Sequence, residues 1–449
     1  MTIDVLPDVA LLEIFDFYVH EAWEEEWQTL VHVCRKWRHV VFGSPRRLDL
    51  RLHCRASTPV RKTLDIWPLL PIIVSSNVYR KKWGVDNVVA VLEHADRICQ
   101  FTFLGVSSSQ WKKVLPAMQQ PFPALTCLDL RSKYETAPVV PASLLGGYAP
   151  HVQSLTLDCI PFPSLPNLLL SATHLVELDL RRIPHSGYIS PEAMVTGLSA
   201  LTRLGTLVIE FESPQSRPDR NSRRPPPLTR ILLPNLADLN FKGVCEYLED
   251  LVARIDAPLL DNLDITLFHQ LIFDAPRLTQ FIGRTPMLKA FDEANVIFTD
   301  SNVLVLLSRI VYGSLNLGVM CSQSDWQLSS LAQVCSSSFL QALVPAVERL
   351  YIRRGVSLRY WQDDIESSQW VELLHPFTAV KDFYISSEFM PRIPPVLQEL
   401  VGERVTEVLP ALQTIFLGEI FTSRPVQEAI EQFVAARQIT GHPVGISHW

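Results

Sequence analysis

The side chains in this sequence that could do chemistry do not come at spacings that would let them react together. His20-Glu21 begins like a zinc-binding helix, where a second histidine four residues on would complete the metal site, but Glu24 stands there instead. Gly105-Val106-Ser107-Ser108-Ser109 lacks the final glycine of a strained turn that would expose a nucleophilic serine. No glycine-rich phosphate loop is present. The twelve histidines do not cluster at ligand spacing, and His32 and Cys34, two apart on a helix, face different ways. Asp363-Asp364-Ile365-Glu366 reads as a solvated acidic turn rather than a cation site. The eight cysteines are scattered with no Cys-x-x-Cys, as expected for reduced thiols in a cytoplasmic or nuclear protein. The expectation is a protein that is not an enzyme, with no catalytic residues, no cofactor and no metal.

Bulk properties narrow the remaining classes. Across 449 residues, 40 Lys+Arg face 47 Asp+Glu, a formal net charge of −7, which argues against a protein held to nucleic acid by phosphate neutralisation. Apolar residues at 47% can fill a large core. The longest apolar runs are Ile66–Val74, broken by two prolines, and Val303–Val311, which carries Arg309, so no membrane span is expected. Asp4, Asp8 and Glu13 at the start do not resemble a secretory signal. Prolines outnumber glycines, 33 to 17, which implies many rigid breaks between short elements.

Two kinds of element emerge. In residues 1–55, Pro7 suits the first turn of a helix whose face carries Leu11, Phe15 and either Tyr18 or Val19. A second helix follows, with Trp27, Leu30, Cys34, Trp37 and Val41 on one stripe, stopped by Pro45. Glu24-Glu25-Glu26 between them should form a solvated bulge. Helices this short bury little of themselves, so their apolar faces need a partner. Leu6-Pro7, then Leu12-Glu13-Ile14-Phe15, then Val33-Cys34-Arg35-Lys36-Trp37, resembles the F-box. The resemblance implies docking on a Skp-type adaptor of a cullin ubiquitin ligase, with Leu6, Pro7, Ile14, Phe15, Val33, Cys34 and Trp37 forming or supporting the docking surface.

After a connector at 56–94, a hexad with apolar residues at its first, fourth and sixth positions recurs. It starts at Ile98, Leu125, Val152, Leu175, Leu204, Leu236, Leu260, Val347, Val380 and Leu412, with weaker copies near Leu288 and Tyr312. A loose hexad recurs by chance at a similar spacing, so two sharper features carry the reading. Pro precedes the first apolar residue by two at Pro123, Pro150, Pro234, Pro258, Pro286, Pro345 and Pro410, and Leu-Asp-Leu-Arg occurs at 48–51, 128–131 and 178–181. Short strands with alternating faces are expected, joined by helical arms such as those at Ser190-Pro191-Glu192 and Tyr247–Ile255, with Gln427–Arg437 as a capping helix. The pattern resembles an irregular leucine-rich repeat, without the usual asparagine after the hexad. Ser213–Pro227 is a polar, proline-rich inserted loop.

The expected architecture is therefore α/β: a short N-terminal helical F-box (1–55), then an irregular leucine-rich-repeat solenoid (95–449) of parallel strands with helical return arms. Its non-apolar hexad positions give a mixed-charge face for a target protein: Asp129, Arg131, Asp179, Arg181, Asp264, Tyr351, Arg353 and Tyr384. The resemblances together imply a substrate receptor of a ubiquitin ligase, with no nucleic-acid or membrane partner. The alternative is a scaffold whose N-terminal helices only cap the repeats.

Overall fold

In the computed structural model, all seven prolines that precede hexads sit at the second position of a tight turn. The carbonyls of Phe122, Ala149, Leu233, Ala257, Thr285, Val344 and Leu409 accept the amides three residues on at 3.0–3.4 Å. Proline's fixed φ suits that position, and the turn delivers the hexad's first apolar residue, buried in every case, into the core. The structure describes residues 6–21, 26–43, 50–56, 59–67, 69–75, 84–133, 137–218, 229–268, 275–289, 291–299, 302–309, 313–320, 343–355, 367–400, 402–418 and 424–449. Most of the acidic run at 24–26, the proline-rich loop from 219 and the Asp363–Glu366 turn lie outside them. The chain divides into two units, Met1–Leu175 and Val176–Trp449.

The first unit opens with three helices, α1 (Asp8–Glu21), α2 (Glu26–Val33) and α3 (Arg35–Gly43). The second helix expected over Trp27–Val41 is thus two. Cys34 breaks it: its Sγ accepts the Trp37 amide at 3.4 Å and its carbonyl accepts Arg38 N at 3.1 Å, which starts a new helix. Five strands follow, β1 (Leu50–His53), β2 (Ile72–Ser75), β3 (Ile98–Val106), β4 (Cys127–Ser132) and β5 (Ser154–Asp158), paired parallel in chain order. Between them run α4 (Val60–Ile66), α5 (Val85–Leu92) and α6 (Ser108–Ala117), with α7 (Leu165–Leu169) after β5. The connector reading of 56–94 is therefore corrected: this stretch supplies a strand and two return helices.

The second unit contains β6 (Glu177–Ile183), α8 (Pro191–Leu198), β7 (Thr206–Phe211), β8 (Ile231–Leu232), β9 (Asp238–Gly243), α9 (Cys245–Val252), β10 (Ile255–Asp256) and β11 (Asn262–Leu267). It continues with α10 (Pro276–Arg284), β12 (Glu293–Phe298), β13 (Asn302–Ser308), β14 (Ser314–Met320), β15 (Arg349–Arg354), α11 (Ser367–Leu374) and β16 (Asp382–Ile385). It ends with α12 (Ile393–Gln398), β17 (Thr414–Leu417), α13 (Arg424–Ile439) and β18 (Gly445–His448). The strand order is β6-β7-β9-β11-β14-β13-β12-β15-β16-β17-β18, while β8 and β10 pair apart. Among the described strands only β13 runs antiparallel, so β12, β13 and β14 form a meander in a sheet whose other described pairings are parallel. Each of the ten clear hexads ends on a strand, an arrangement like that of leucine-rich repeats.

Within each unit, alternate strand residues pack beneath the helical arms. Phe103 of β3 meets Trp111 of α6 edge-on at 5.2 Å between centroids. In the second unit, Phe211 of β7 meets Tyr247 of α9 at 4.7 Å, and Phe298, Trp370 and Phe389 form a buried trio. Ser190 Oγ accepts Ala193 N at 3.2 Å and caps α8, as its sequence predicts. Glu249 accepts the amides of Arg277 and Leu278 at 3.0 and 2.7 Å, which caps α10 from the neighbouring arm. Arg254 bonds Glu192 at 2.7 Å and the Asp250 carbonyl at 2.6 Å, linking α8 to the end of α9. Such a buried network fixes the spacing of successive arms, and so the spacing of the strands above them.

Candidate functional site

The chemistry-bearing side chains lie on the strand face opposite the arms, and here charges were expected to read a target. The Leu-Asp-Leu-Arg strands at 128–131 and 178–181 pair theirs internally. Asp and Arg two apart on a strand share a face. Arg131 Nε and Nη2 donate to Asp129 at 2.8 and 3.1 Å, and Arg181 Nε donates to both Asp179 oxygens at 2.9 and 3.1 Å. The structure therefore brings Asp129 to Arg131 and Asp179 to Arg181, but as paired charges. Asp264 lies half-buried on β11 and accepts Asn316 Nδ2 at 3.1 Å. Burial pushes its carboxyl above the ordinary range, and the Asn316 hydrogen bond partly opposes this.

A different arrangement occupies β15–β18. The register aligns Tyr351 with Tyr384, and Tyr384 with Phe416. Neighbouring strands are about 4.8 Å apart, so three rings at one outward position stack. Tyr351 and Tyr384 lie 4.2 Å apart at 13°, and Tyr384 and Phe416 lie 4.3 Å apart at 7°. Trp449 stands edge-on to Tyr384 at 5.6 Å and 87°. The Arg353 guanidinium rests 4.6 Å from the Tyr351 centroid and 6.0 Å from that of Trp449. Among the described residues it has no carboxylate partner, and its Nε is shielded from solvent without a hydrogen bond. Burial, followed by the Glu293 charge, pushes the Tyr351 phenol up to about 12, so it stays protonated at neutral pH. Tyr351, Arg353 and Tyr384 were legible as outward residues. Phe416 was missed because it reads as one more apolar residue between Ile415 and Leu417, although the hexad places it in the same outward column. Trp449 belongs to no hexad and left no signal.

The N-terminal helices offer a second surface. Phe15 and Trp37 pack against each other at 4.7 Å between centroids, with Leu11, Leu30 and Val31 also buried. Both rings therefore support the module from inside. Lys36 Nζ donates to the Leu6 carbonyl at 2.8 Å, which ties the entry of α1 to α3. Outside lie Pro7, Val9 (67% exposed), Ile14 (45%) and Val33 (54%), with Leu6 and Cys34 half-buried.

No catalytic arrangement emerges among the described residues. Ser107 is a helix cap: Gln110 Oε1 accepts its amide at 2.9 Å and its hydroxyl at 3.0 Å. Among the described residues no group of three or more His, Cys, Asp or Glu side chains could hold a metal, and no helix is long and apolar enough to cross a membrane. Cys54, Cys159 and Cys245 are buried, the thiol of Cys54 pushed up to about 12 by burial.

No family model matches the chain, and no curated protein is similar to it. Among solved structures it is similar to the leucine-rich repeat-containing protein LegL7 from Legionella pneumophila, at 12% identity and a TM-score of 0.30, covering 86% of this chain and 97% of that one. At that score the likeness carries no argument. The repeat architecture rests on the strand register and proline turns described above.

Proposed function

We propose that this chain is an interaction protein that serves as the substrate receptor of a Skp–cullin–F-box ubiquitin ligase. Its N-terminal helices would bind the adaptor, and its repeat face would hold a target. The contribution to catalysis would be proximity and effective concentration, with bond-making left to other subunits. The observation that carries the reading is the division of labour in the helical module. Phe15 and Trp37 are spent on its interior, while Pro7, Val9, Ile14 and Val33 remain exposed. Desolvating such a group at the centre of an interface supplies much of its binding energy. Had the helices served only as a cap on the repeats, Pro7 and Ile14 would be expected beneath later residues.

The test is co-purification of the full chain with a Skp-type adaptor. Wild type should retain the adaptor, and Pro7→Ala/Ile14→Asp should lose it without unfolding, because both side chains point outward. Failure of the wild type to retain any adaptor overturns the ligase reading and leaves the scaffold.

A further inference from the structure

We propose that the Tyr351–Tyr384–Phe416 stack, with Arg353 and Trp449, is the docking site for an acidic segment of a partner protein, one that presents a carboxylate to Arg353. This deepens the target-binding half of the proposed function and rests on it. Three observations point to a carboxylate. Arg353 is an outward arginine that its own strand leaves without a counter-charge: among the described residues rings flank it and no carboxylate pairs with it, and its shielded Nε has no acceptor there. A guanidinium held against aromatic faces is orientated but not neutralised, and a bidentate carboxylate is the group its fork matches. Third, the stack presents edges. Tyr351 and Tyr384 lie 4.2 Å apart, and Tyr384 and Phe416 4.3 Å, so the ring faces are used on one another. Aromatic edges carry the positive side of the ring quadrupole and favour anionic or carbonyl oxygens. The Tyr351 hydroxyl, which stays protonated, is a donor of the same preference.

The same geometry disfavours single-stranded nucleic acid, the other anionic polymer that aromatic and arginine residues attract. Base stacking needs open ring faces, and those of the central Tyr384 are both covered. The chain's formal net charge of −7 also opposes a polyphosphate.

The experiment uses the full chain and two fluorescein-labelled pools of 12-residue peptides, alike except for a central Glu-Glu or Gln-Gln, with an oligouridylate as third probe. Anisotropy should show the Glu-Glu pool binding about tenfold more tightly than the Gln-Gln pool, the scale of one charge-assisted hydrogen-bonded pair. Arg353→Gln should erase that preference. Arg353→Lys, which keeps the charge without the fork, should keep part of it, and Pro7→Ala/Ile14→Asp should leave it intact. Equal binding of the two pools, a preference indifferent to Arg353→Gln, or tighter binding of the oligouridylate overturns the proposal. None of these outcomes bears on adaptor binding, so the two readings fail separately.

Discussion

Leu178-Asp179-Leu180-Arg181 on β6 and Leu350-Tyr351-Ile352-Arg353 on β15 are one template with one decisive difference. In both, the first and third residues are buried and the second and fourth lie on the opposite strand face, although Asp179 is itself only 6% exposed there. On β6 the outward neighbour is aspartate, and it engages its arginine twice at 2.9 and 3.1 Å. On β15 it is tyrosine, the guanidinium lies over its ring, and no carboxylate among the described residues pairs with it. Counting charges along a repeat face therefore misjudges what that face can recognise. What matters is the charge left over after same-strand neighbours have paired, since a paired, half-exposed arginine has little left to offer.

That contrast can be broken at three levels. The largest effect tests whether the faces are assigned correctly. Phe383 and Tyr384 are consecutive on β16, one buried and one outward. Phe383→Ala should cost about 3–5 kcal/mol in urea denaturation, whereas Tyr384→Ala should cost about 0.5–1.5 kcal/mol for the lost stack. Equal costs would mean the outward face is itself core. The next converts one strand into the other. Tyr351→Asp recreates the β6 pattern, so Arg353 should be captured by its own strand and the roughly tenfold preference for Glu-Glu over Gln-Gln peptides should vanish. Persistence of the preference would show that pairing on the strand does not decide availability.

The smallest effect concerns Asp264. Its folded-state pKa is raised by burial, so the ionised form is the one folding disfavours. The charge therefore costs stability above the ordinary carboxylate value of 3.8, and the cost disappears as pH falls through and below it. Asp264→Asn, which keeps an acceptor for Asn316, should stabilise the chain at neutral pH by at most about 0.5 kcal/mol. Urea denaturation at neutral and acid pH checks this: a gap that widens on acidification has the wrong sign.

The sequence made the repeats legible where two constraints agreed. A proline that sets a turn and an apolar residue two further on marked seven strand entries. The Ser190-Pro191-Glu192 cap likewise marked α8. It failed where a single constraint acts over few residues. β1 and β2 are four residues each and precede any proline-marked hexad. The meander was hidden because β13 reads as a plain apolar run. Val303, Val305 and Leu307 fill the buried face, while Leu304 and Leu306 make the other face apolar too. Its return to β14 depends on Gly313 at φ 93°, a backbone state that L side chains avoid. The helix break at Cys34 was invisible to periodicity, since the buried stripe continues across it through Trp37 and Val41. At the aromatic site, the outward column gave Tyr351, Arg353 and Tyr384. Their stacking with Phe416 and their meeting with Trp449 follow from strand register, which single hexads do not encode.

If the helical module keeps an apolar surface free for another protein while the repeats do separate work, adaptor binding must register on the module alone. Amide hydrogen exchange on the full chain, with and without a Skp-type adaptor, tests it most directly. Exchange should slow over residues 6–43, with the amides of 349–354 unchanged. Exchange over 6–43 that ignores the adaptor, or slowing confined to the repeat strands, would contradict it.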